Sequence, residues 1–443
     1  MKVTFIRPRM MVGVPEDALE PLVFALLSGL TSPKIDRVFY DDRKEKIPFD
    51  EPTDLVALSV ETPTAKRAYK IALEYRKRRV PVIMGGHHPT LLPQEVLQFA
   101  DSVVIGDAEG VWDDVINDAK NQQLKKVYEN RYPSLVGLHF DRSIFKGKRY
   151  YPLRMVQFGR GCRFTCDYCS VHAFYGGNVR HRPVDEVVDE IKSLKQKFIY
   201  FTDDNLFSDI NLAKELMKEI KPLGISWGCQ AGLNIARDRT LVRLMAQSGC
   251  ASVFIGFESI DEDNLKQMGK TWMGAFSEFN ELINTFRENG IMIFGSFMFG
   301  YDYDTVDSFE RTLDFTIQSK LFVAMFQMIA PFPGTPLYQR FQAEDRLVND
   351  PWWLHPDFRY GQSWIKPAQM TEEELAKGCY ETRAGFYKYK SILWRATDFK
   401  ANFSSIRKAI VFILLNLISK REIHRKHGRL LGDDIDFRTY VDR

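Results

Sequence analysis

Along residues 2 to about 120, short runs of Val, Ile and Leu alternate with stretches whose apolar positions recur every three or four residues. The runs at 3–6, 38–40, 55–60, 80–84 and 103–105 predict strands, and 18–30 and 65–78 predict helices. Regular alternation of the two means a doubly wound, Rossmann-like parallel sheet. Ligands of such a sheet sit beyond the carboxyl ends of the strands. Arg7 and Pro8, then Ser59 to Thr62, Gly85 to His88 and Gly106 to Glu109 fall there. The adjacent Gly85 and Gly86 let backbone approach a ligand closely; a plain βα turn is the competing reading.

A less regular, aromatic and basic segment at 125–151 reads as a linker with short strands, after which the alternation resumes. Strands are expected at 155–158, 198–201, 225–229, 253–255, 293–299 and 324–329, with helices at 184–195, 241–247, 276–289 and 306–319. Six βα units predict a partial (βα)6 TIM-like barrel that presents its chemistry at the carboxyl ends of its strands. Beyond Pro331 to Pro336 the pattern turns irregular and Trp-rich, then helical, with Thr371 and Glu374 as a capping box for a helix to Tyr387. The expected division is therefore 1–125 for the first domain, 126–150 for the linker, 151–340 for the barrel and 341–443 for an aromatic-rich helical region.

The 443 residues exceed one domain's usual length, and 61 Lys plus Arg against 58 Asp plus Glu leave a formal charge of +3. That balance argues against a nucleic-acid partner. The basic stretches 66–79 and 420–426 are short enough to be solvated helix faces. The N-terminal MKVTFIRP carries no apolar signal core, so a cytoplasmic location is expected. The longest apolar run, 409–418, is broken by Asn416 and is shorter than the roughly 20 residues a spanning helix needs.

Six cysteines are too few for a disulfide scaffold, yet Cys162, Cys166 and Cys169 fall within one short loop at the end of the barrel's first strand. Three thiolates from one loop suit an iron–sulfur cubane that keeps one iron open. The competing reading is zinc, with His172 completing a Cys3His set, although structural zinc sites usually draw on separated ligand pairs. Cys229, Cys250 and Cys379 stand apart and read as small core residues.

The run Cys162-Arg163-Phe164-Thr165-Cys166-Asp167-Tyr168-Cys169 resembles the CxxxCxxC signature, aromatic included, of the radical S-adenosylmethionine enzymes. The resemblance implies that the three cysteines hold a 4Fe-4S cluster whose open iron binds S-adenosylmethionine and cleaves it to a 5′-deoxyadenosyl radical. It further implies cofactor contacts at Tyr168, at Asp204 and Asn205 where many members carry a Gly-Gly-Glu turn, at Gln230, and at Gly256 and Glu258. For Gln230 and Glu258 a polar residue capping a nearby turn or helix is the competing reading.

A doubly wound domain ahead of such a barrel resembles the cobalamin-binding subgroup of that family. Gly85-Gly86-His87-His88-Pro89-Thr90 and Gly106-Asp107-Ala108-Glu109 look like its GG-x-H-x-T and G-[ED]-x-E turns. The resemblance implies a corrin held at Ser59, Thr62, Gly85, Gly86, His87, Gly106 and Glu109. The Asp-x-His-x-x-Gly run through which other cobalamin domains ligate cobalt does not occur, so a cobalt without a protein histidine is implied.

The implied activity is methylation of an unactivated carbon: one S-adenosylmethionine methylates cobalt, a second yields the radical, and the substrate radical takes the methyl group from methylcobalamin. A non-methylating reaction on the same architecture, an anaerobic cyclase or a carbon-skeleton rearrangement, is the alternative. A zinc-stabilised binding scaffold is the alternative from another class. Cysteine count and charge do not support a methylthiotransferase. An electron donor such as flavodoxin or ferredoxin is also implied. Trp352, Trp353, Tyr360, Trp364, Phe386, Tyr387 and Trp394 make the C-terminal region aromatic, and 409–418 followed by Lys420, Arg421, Arg425 and Lys426 suits an interfacial helix. A small apolar substrate, a lipid or tetrapyrrole, and peripheral membrane contact through 409–426 are the corresponding expectations; a helical cap over the barrel is the competing one.

Overall fold

The structure is a computed structural model that describes residues 1–11, 13, 19–432 and 437. Strands β1 (Lys2–Arg7), β2 (Asp36–Asp41), β3 (Leu55–Ser59), β4 (Val82–Gly85), β5 (Ser102–Gly106) and β6 (Val127–Asn130) form one parallel sheet in the order β2-β1-β3-β4-β5-β6. Strand residues alternate between its faces because successive side chains point to opposite sides. Ile6, Val56, Leu58, Val82, Met84, Val103 and Ile105 pack with helices Ala65–Lys77 and Pro93–Phe99. Val3, Phe5, Leu55, Ala57, Ile83 and Val104 pack with Leu22–Leu30 and Trp112–Lys120. Burial on both faces explains why these strands read as continuous apolar runs.

The first helix begins at Leu22 rather than near 18; Ala18 lies outside the described residues. Strand β6 comes from the stretch read as linker, and Lys66 and Arg67 of the first basic stretch are buried rather than solvated. Lys66 donates to the His355 carbonyl at 2.6 Å, and Arg67 pairs with Asp42 at 2.7 Å.

The second sheet comprises β7 (Arg154–Val156), β10 (Phe198–Phe201), β11 (Ser226–Ala231), β12 (Cys250–Glu258), β13 (Met292–Phe299) and β14 (Val323–Met328), parallel and in sequential order. Among the described residues nothing pairs β14 back to β7, so the barrel is partial. Between β7 and the cysteines, β8 (Gly159–Arg160) pairs antiparallel with β9 (Arg180–His181), so the cysteine loop does not follow β7 directly. Cys229, Cys250 and Cys379 are buried in the core of this second unit.

Thr371 caps helix Glu372–Phe386 as a reciprocal box, its Oγ1 accepting from the Glu374 amide at 3.1 Å while Glu374 accepts from the Thr371 amide at 2.8 Å. The C-terminal aromatics do not form one cap over the barrel. Trp352 and Trp353 pack on the first sheet, Phe386 and Tyr387 pack on the second, and Trp394 is exposed. Among the described residues no helix is long and apolar enough to cross a membrane.

Candidate functional site

Residues at the carboxyl ends of strands in both sheets, among them Ser59, Gly85, Gly106, Gln157 and Thr202, line one cavity, and the cysteine loop follows β8. Gly161 opens that loop at φ +85, and a Cβ there would lie 1.9 Å from the Asn178 carbonyl oxygen, so only glycine fits. The Asp167 amide donates to the Met268 carbonyl at 3.1 Å, and Cys169 leads into the short helix Ser170–Tyr175. All three thiols are free. Burial, and then the neighbouring thiols, push Cys169 up to about 11, and burial raises Cys162 and Cys166 as well. Three thiols close enough to raise one another's pKa need a cation to hold them as thiolates, which fits an iron–sulfur cluster. Among the described residues no three His, Cys, Asp or Glu side chains gather as ligands of a single metal ion.

The loop is braced from several strands. Buried Asp203, after β10, accepts from the amides of Phe158 at 3.1 Å and of Gly159, and burial pushes its carboxyl up to about 7. Asp204 accepts from the Gly161 amide at 3.3 Å, and it lies close enough to His87 and Arg160 for their charges to oppose the upward effect of burial. Asn205, its neighbour, spends its side-chain oxygen on the Phe207 amide at 3.0 Å within its own turn. Gln230 is half-buried near the end of β11.

At the end of β12, Glu258 adopts φ +63, a left-handed conformation unusual for a residue with a Cβ. That turn folds its carboxylate back over Gly256, where a Cβ would lie 2.1 Å from Oε1. Lys270 donates to this oxygen at 3.0 Å and to the Tyr168 hydroxyl at 3.1 Å, while that hydroxyl donates to Glu258 at 3.3 Å. Lys270 is buried, and sequence reasoning missed it because no motif marks the turn after helix Glu262–Gln267. A second missed support runs from β13. Asp304 accepts from the Gly300 amide at 2.8 Å, the Tyr301 amide at 3.2 Å and Asn264 at 3.0 Å, and the Tyr301 hydroxyl donates to Asp167 in the loop at 2.7 Å.

The first sheet meets this assembly at a cavity of about 550 Å³ whose lining includes Ser59, Gly85, Gly86, His87, Gly106 and Glu109 together with Gln157, Arg160, Phe174 and Tyr175. His87 Nε2 and Glu109 Oε2 are buried with no hydrogen-bond partner, and the His87 ring lies 4.7 Å from that of Phe174. A ligand edged with amides, as a corrin is, satisfies both kinds of orphaned atom. Thr62 is not part of the lining; its hydroxyl is 3.3 Å from His88 Nδ1 in a buried network with Tyr69, Glu95 and Trp353. Gly86, at φ +104, has the Val60 carbonyl oxygen 2.9 Å from a notional Cβ, so turn geometry alone already demands glycine there.

Arg160 joins the two edges. Two residues before Cys162, it donates to Glu109 Oε1 at 2.6 Å and lies 3.0 Å from Asp107, which also pairs with Arg180 at 2.9 Å. Burial works against its charge, but the two carboxylates outweigh burial and raise its pKa.

Residues 156–316 match the family model of the Radical SAM superfamily, and residues 46–116 match that of the B12 binding domain. The chain is 29% identical over 389 residues to the bacteriochlorophyllide d C-12(1)-methyltransferase of Chlorobaculum tepidum, covering 85% of this chain and 84% of that one. It is 26% identical over 415 residues to the anaerobic magnesium-protoporphyrin IX monomethyl ester cyclase of Cereibacter sphaeroides, covering 83% and 66%. Among solved structures, the fold matches the radical S-adenosylmethionine methyltransferase TsrM from Kitasatospora setae, with cobalamin and a [4Fe-4S] cluster bound, at a TM-score of 0.61 and 19% identity over 77% of this chain and 78% of that one.

Proposed function

We propose that this chain, which belongs to the cobalamin-dependent radical S-adenosylmethionine enzymes, methylates an unactivated carbon of a small apolar substrate, a tetrapyrrole or lipid. When bound, the cluster supplies the electron that cleaves S-adenosylmethionine and cobalamin supplies the methyl group. One observation carries the reading: Arg160 ties the turn bearing Glu109 to the root of the cysteine loop, so the two cofactor regions share a buried ion pair.

In this reading Cys162, Cys166 and Cys169 hold the cluster. Tyr168, Gly256, Glu258, Gln230 and Asp204 serve S-adenosylmethionine, and Lys270 keeps the Glu258 carboxylate and the Tyr168 hydroxyl in place for its polar groups. Ser59, Gly85, Gly86, His87, Gly106 and Glu109 serve the corrin, with His87 donating or accepting and Glu109 accepting at its periphery. Phe174 and Tyr175 exclude water beside them. The electron comes from a small acidic donor protein such as flavodoxin or ferredoxin. The corrin domain runs past 125 to take in β6, and limits near 150 and 340 separate the linker, radical core and C-terminal region.

The likeness to a cyclase supports a second reading, radical ring closure without methyl transfer. The test is anaerobic reconstitution followed by metal, corrin and product analysis, alongside metabolite mass spectrometry of a host with and without the protein. Methyl transfer yields S-adenosylhomocysteine, 5′-deoxyadenosine and a product heavier by one methylene. A product mass without that gain overturns methylation, and absence of both corrin and 5′-deoxyadenosine overturns the whole assignment.

A further inference from the structure

The long C-terminal helix Ile406–Lys426 is fastened to the barrel by two fully buried side chains one turn apart. Phe412 packs on Phe322 and Phe403, with ring centroids 6.1 and 5.4 Å away. Asn416 donates to the Phe322 carbonyl at 3.1 Å and accepts from Arg395 at 2.9 Å. Arg395 is itself buried, which pulls its pKa down to about 9, and it spends its other donors on the Ser391 hydroxyl and the carbonyls of Leu321, Phe322 and Phe386.

The opposite side of the helix is unpartnered. Every residue from Ile413 to Ile418 except Asn416 is an exposed aliphatic. Helix Tyr389–Ala396 and the turn after it extend the surface with Leu393, Trp394 and Phe399, exposed to 69%, 51% and 74%. The Lys420 ammonium sits 3.3 Å from the Tyr389 ring centroid and ties the two helices together. Soluble monomers rarely leave so continuous an apolar patch in water.

Charge chooses the occupant. Residues 388–426 hold ten Lys or Arg and two acids, although the whole chain is only +3, so the rest of the molecule carries more acids than bases. Both acids are engaged, Asp398 with Arg287 at 3.0 Å and Glu422 with Lys426 at 2.7 Å. Lys388, Lys390, Arg407, Arg421 and Arg425 are exposed around the patch. A second copy seated here would bring two like-charged rims together, which is unfavourable. Aliphatics, an exposed Trp and Tyr, and a basic rim are what an anionic bilayer surface accepts.

We propose that helices Tyr389–Ala396 and Ile406–Lys426 form a single docking face for an anionic lipid bilayer, lying in its interface with the apolar residues inserted and the Lys and Arg rim on the headgroups. The face holds the enzyme where an apolar substrate partitions, yet it stands on its own surface chemistry and not on the reaction assigned to the site.

The test is flotation of the full reconstituted chain with vesicles of phosphatidylcholine alone or mixed equally with phosphatidylglycerol, at low and high salt. The expected result is binding to the phosphatidylglycerol vesicles that is on the order of tenfold weaker on phosphatidylcholine and weakens with salt. Leu414→Glu with Leu417→Glu lowers binding to both vesicles by at least about tenfold, whereas Arg407→Glu with Arg421→Glu lowers it only on phosphatidylglycerol. Trp394→Glu, on the other helix, gives the same answer should the paired aliphatic variant lose its helix. All variants keep 5′-deoxyadenosine formation in solution. Wild-type protein that stays off phosphatidylglycerol vesicles, or charged variants that bind like wild type, overturn the proposal. So does a dimer in ultracentrifugation that the aliphatic variant dissociates while vesicle binding is absent.

Discussion

Around the cysteine loop the carboxylates are already engaged inside the protein: buried Asp203 and half-buried Asp204 by backbone amides, buried Glu258 by Lys270 and Tyr168. Across the cavity, on the edge of the first sheet, His87 Nε2 and Glu109 Oε2 are buried and unmet. The difference matches the two kinds of cofactor. A cluster bound through metal–thiolate bonds needs a loop held in one shape beforehand, whereas a large organic ligand is recognised by the polar atoms left waiting for it. His87 Nε2 and Glu109 Oε2 are what the cavity edge offers such a ligand, while His172 Nδ1 and Trp272 Nε1 are likewise buried and unmet near the cysteine loop.

The largest effect expected is at the loop. Cys166→Ser leaves two thiolates, so iron and sulfide analysis after anaerobic reconstitution shows the cluster lost and 5′-deoxyadenosine formation falls by more than about 1000-fold, as for a group acting as a unit. Cluster retention in that variant breaks the comparison at its root. Lys270→Met comes next, because it leaves the Glu258 carboxylate buried beside Gly256 without its cation. Denaturant unfolding of the apoprotein is expected to lose about 5 kcal/mol, largely regained when Glu258→Gln is added. No loss in the single variant means that Glu258 is not held as described.

Asp304 probes the bracing from β13 through pH. Burial pushes its carboxyl up to about 7 in the folded chain against 3.8 ordinarily, so the folded state holds the proton more tightly than the unfolded one. Its contribution to stability is fully present below about pH 4 and is lost as pH climbs to about 7, by about 4 kcal/mol at most. Urea midpoints across that range are expected to fall more steeply for wild type than for Asp304→Asn, and equal slopes remove Asp304 from the account.

The smallest effects separate the cavity from its surroundings. His87→Ala removes an unmet polar atom, so apoprotein stability stays within about 0.5 kcal/mol while corrin retention drops on the order of tenfold. Thr62→Val behaves the opposite way, costing about 1 kcal/mol of stability with corrin retention unchanged, because its hydroxyl serves His88. Corrin retention measured by absorbance after gel filtration distinguishes the two.

Much of this was legible from pattern alone. Continuous Val/Ile/Leu runs place both parallel sheets, and the Thr371 and Glu374 box starts its helix as the spacing predicts. The cysteine loop is legible because its ligands are neighbours in sequence. Boundaries were less so: β6 arises in a stretch with little apolar signal, since an edge strand buries only part of itself. Lys270, Arg160 and Tyr301 carry no local signature, because each matters through a residue many positions away.

By itself, then, the sequence determined two parallel α/β units, a thiol loop near the start of the second and an excess of basic and apolar residues near the C-terminus, all set by short-range periodicity and local spacing. Tertiary structure decided which polar groups are spent and which remain open. It sent Thr62 and Asn205 into internal hydrogen bonds, left His87 and Glu109 facing a cavity, paired Arg160 across two sheets, and turned the aliphatics among Ile413 to Ile418 outward while burying Asn416. Those outcomes depend on burial and on partners distant in sequence, and neither is written in any short stretch of chain.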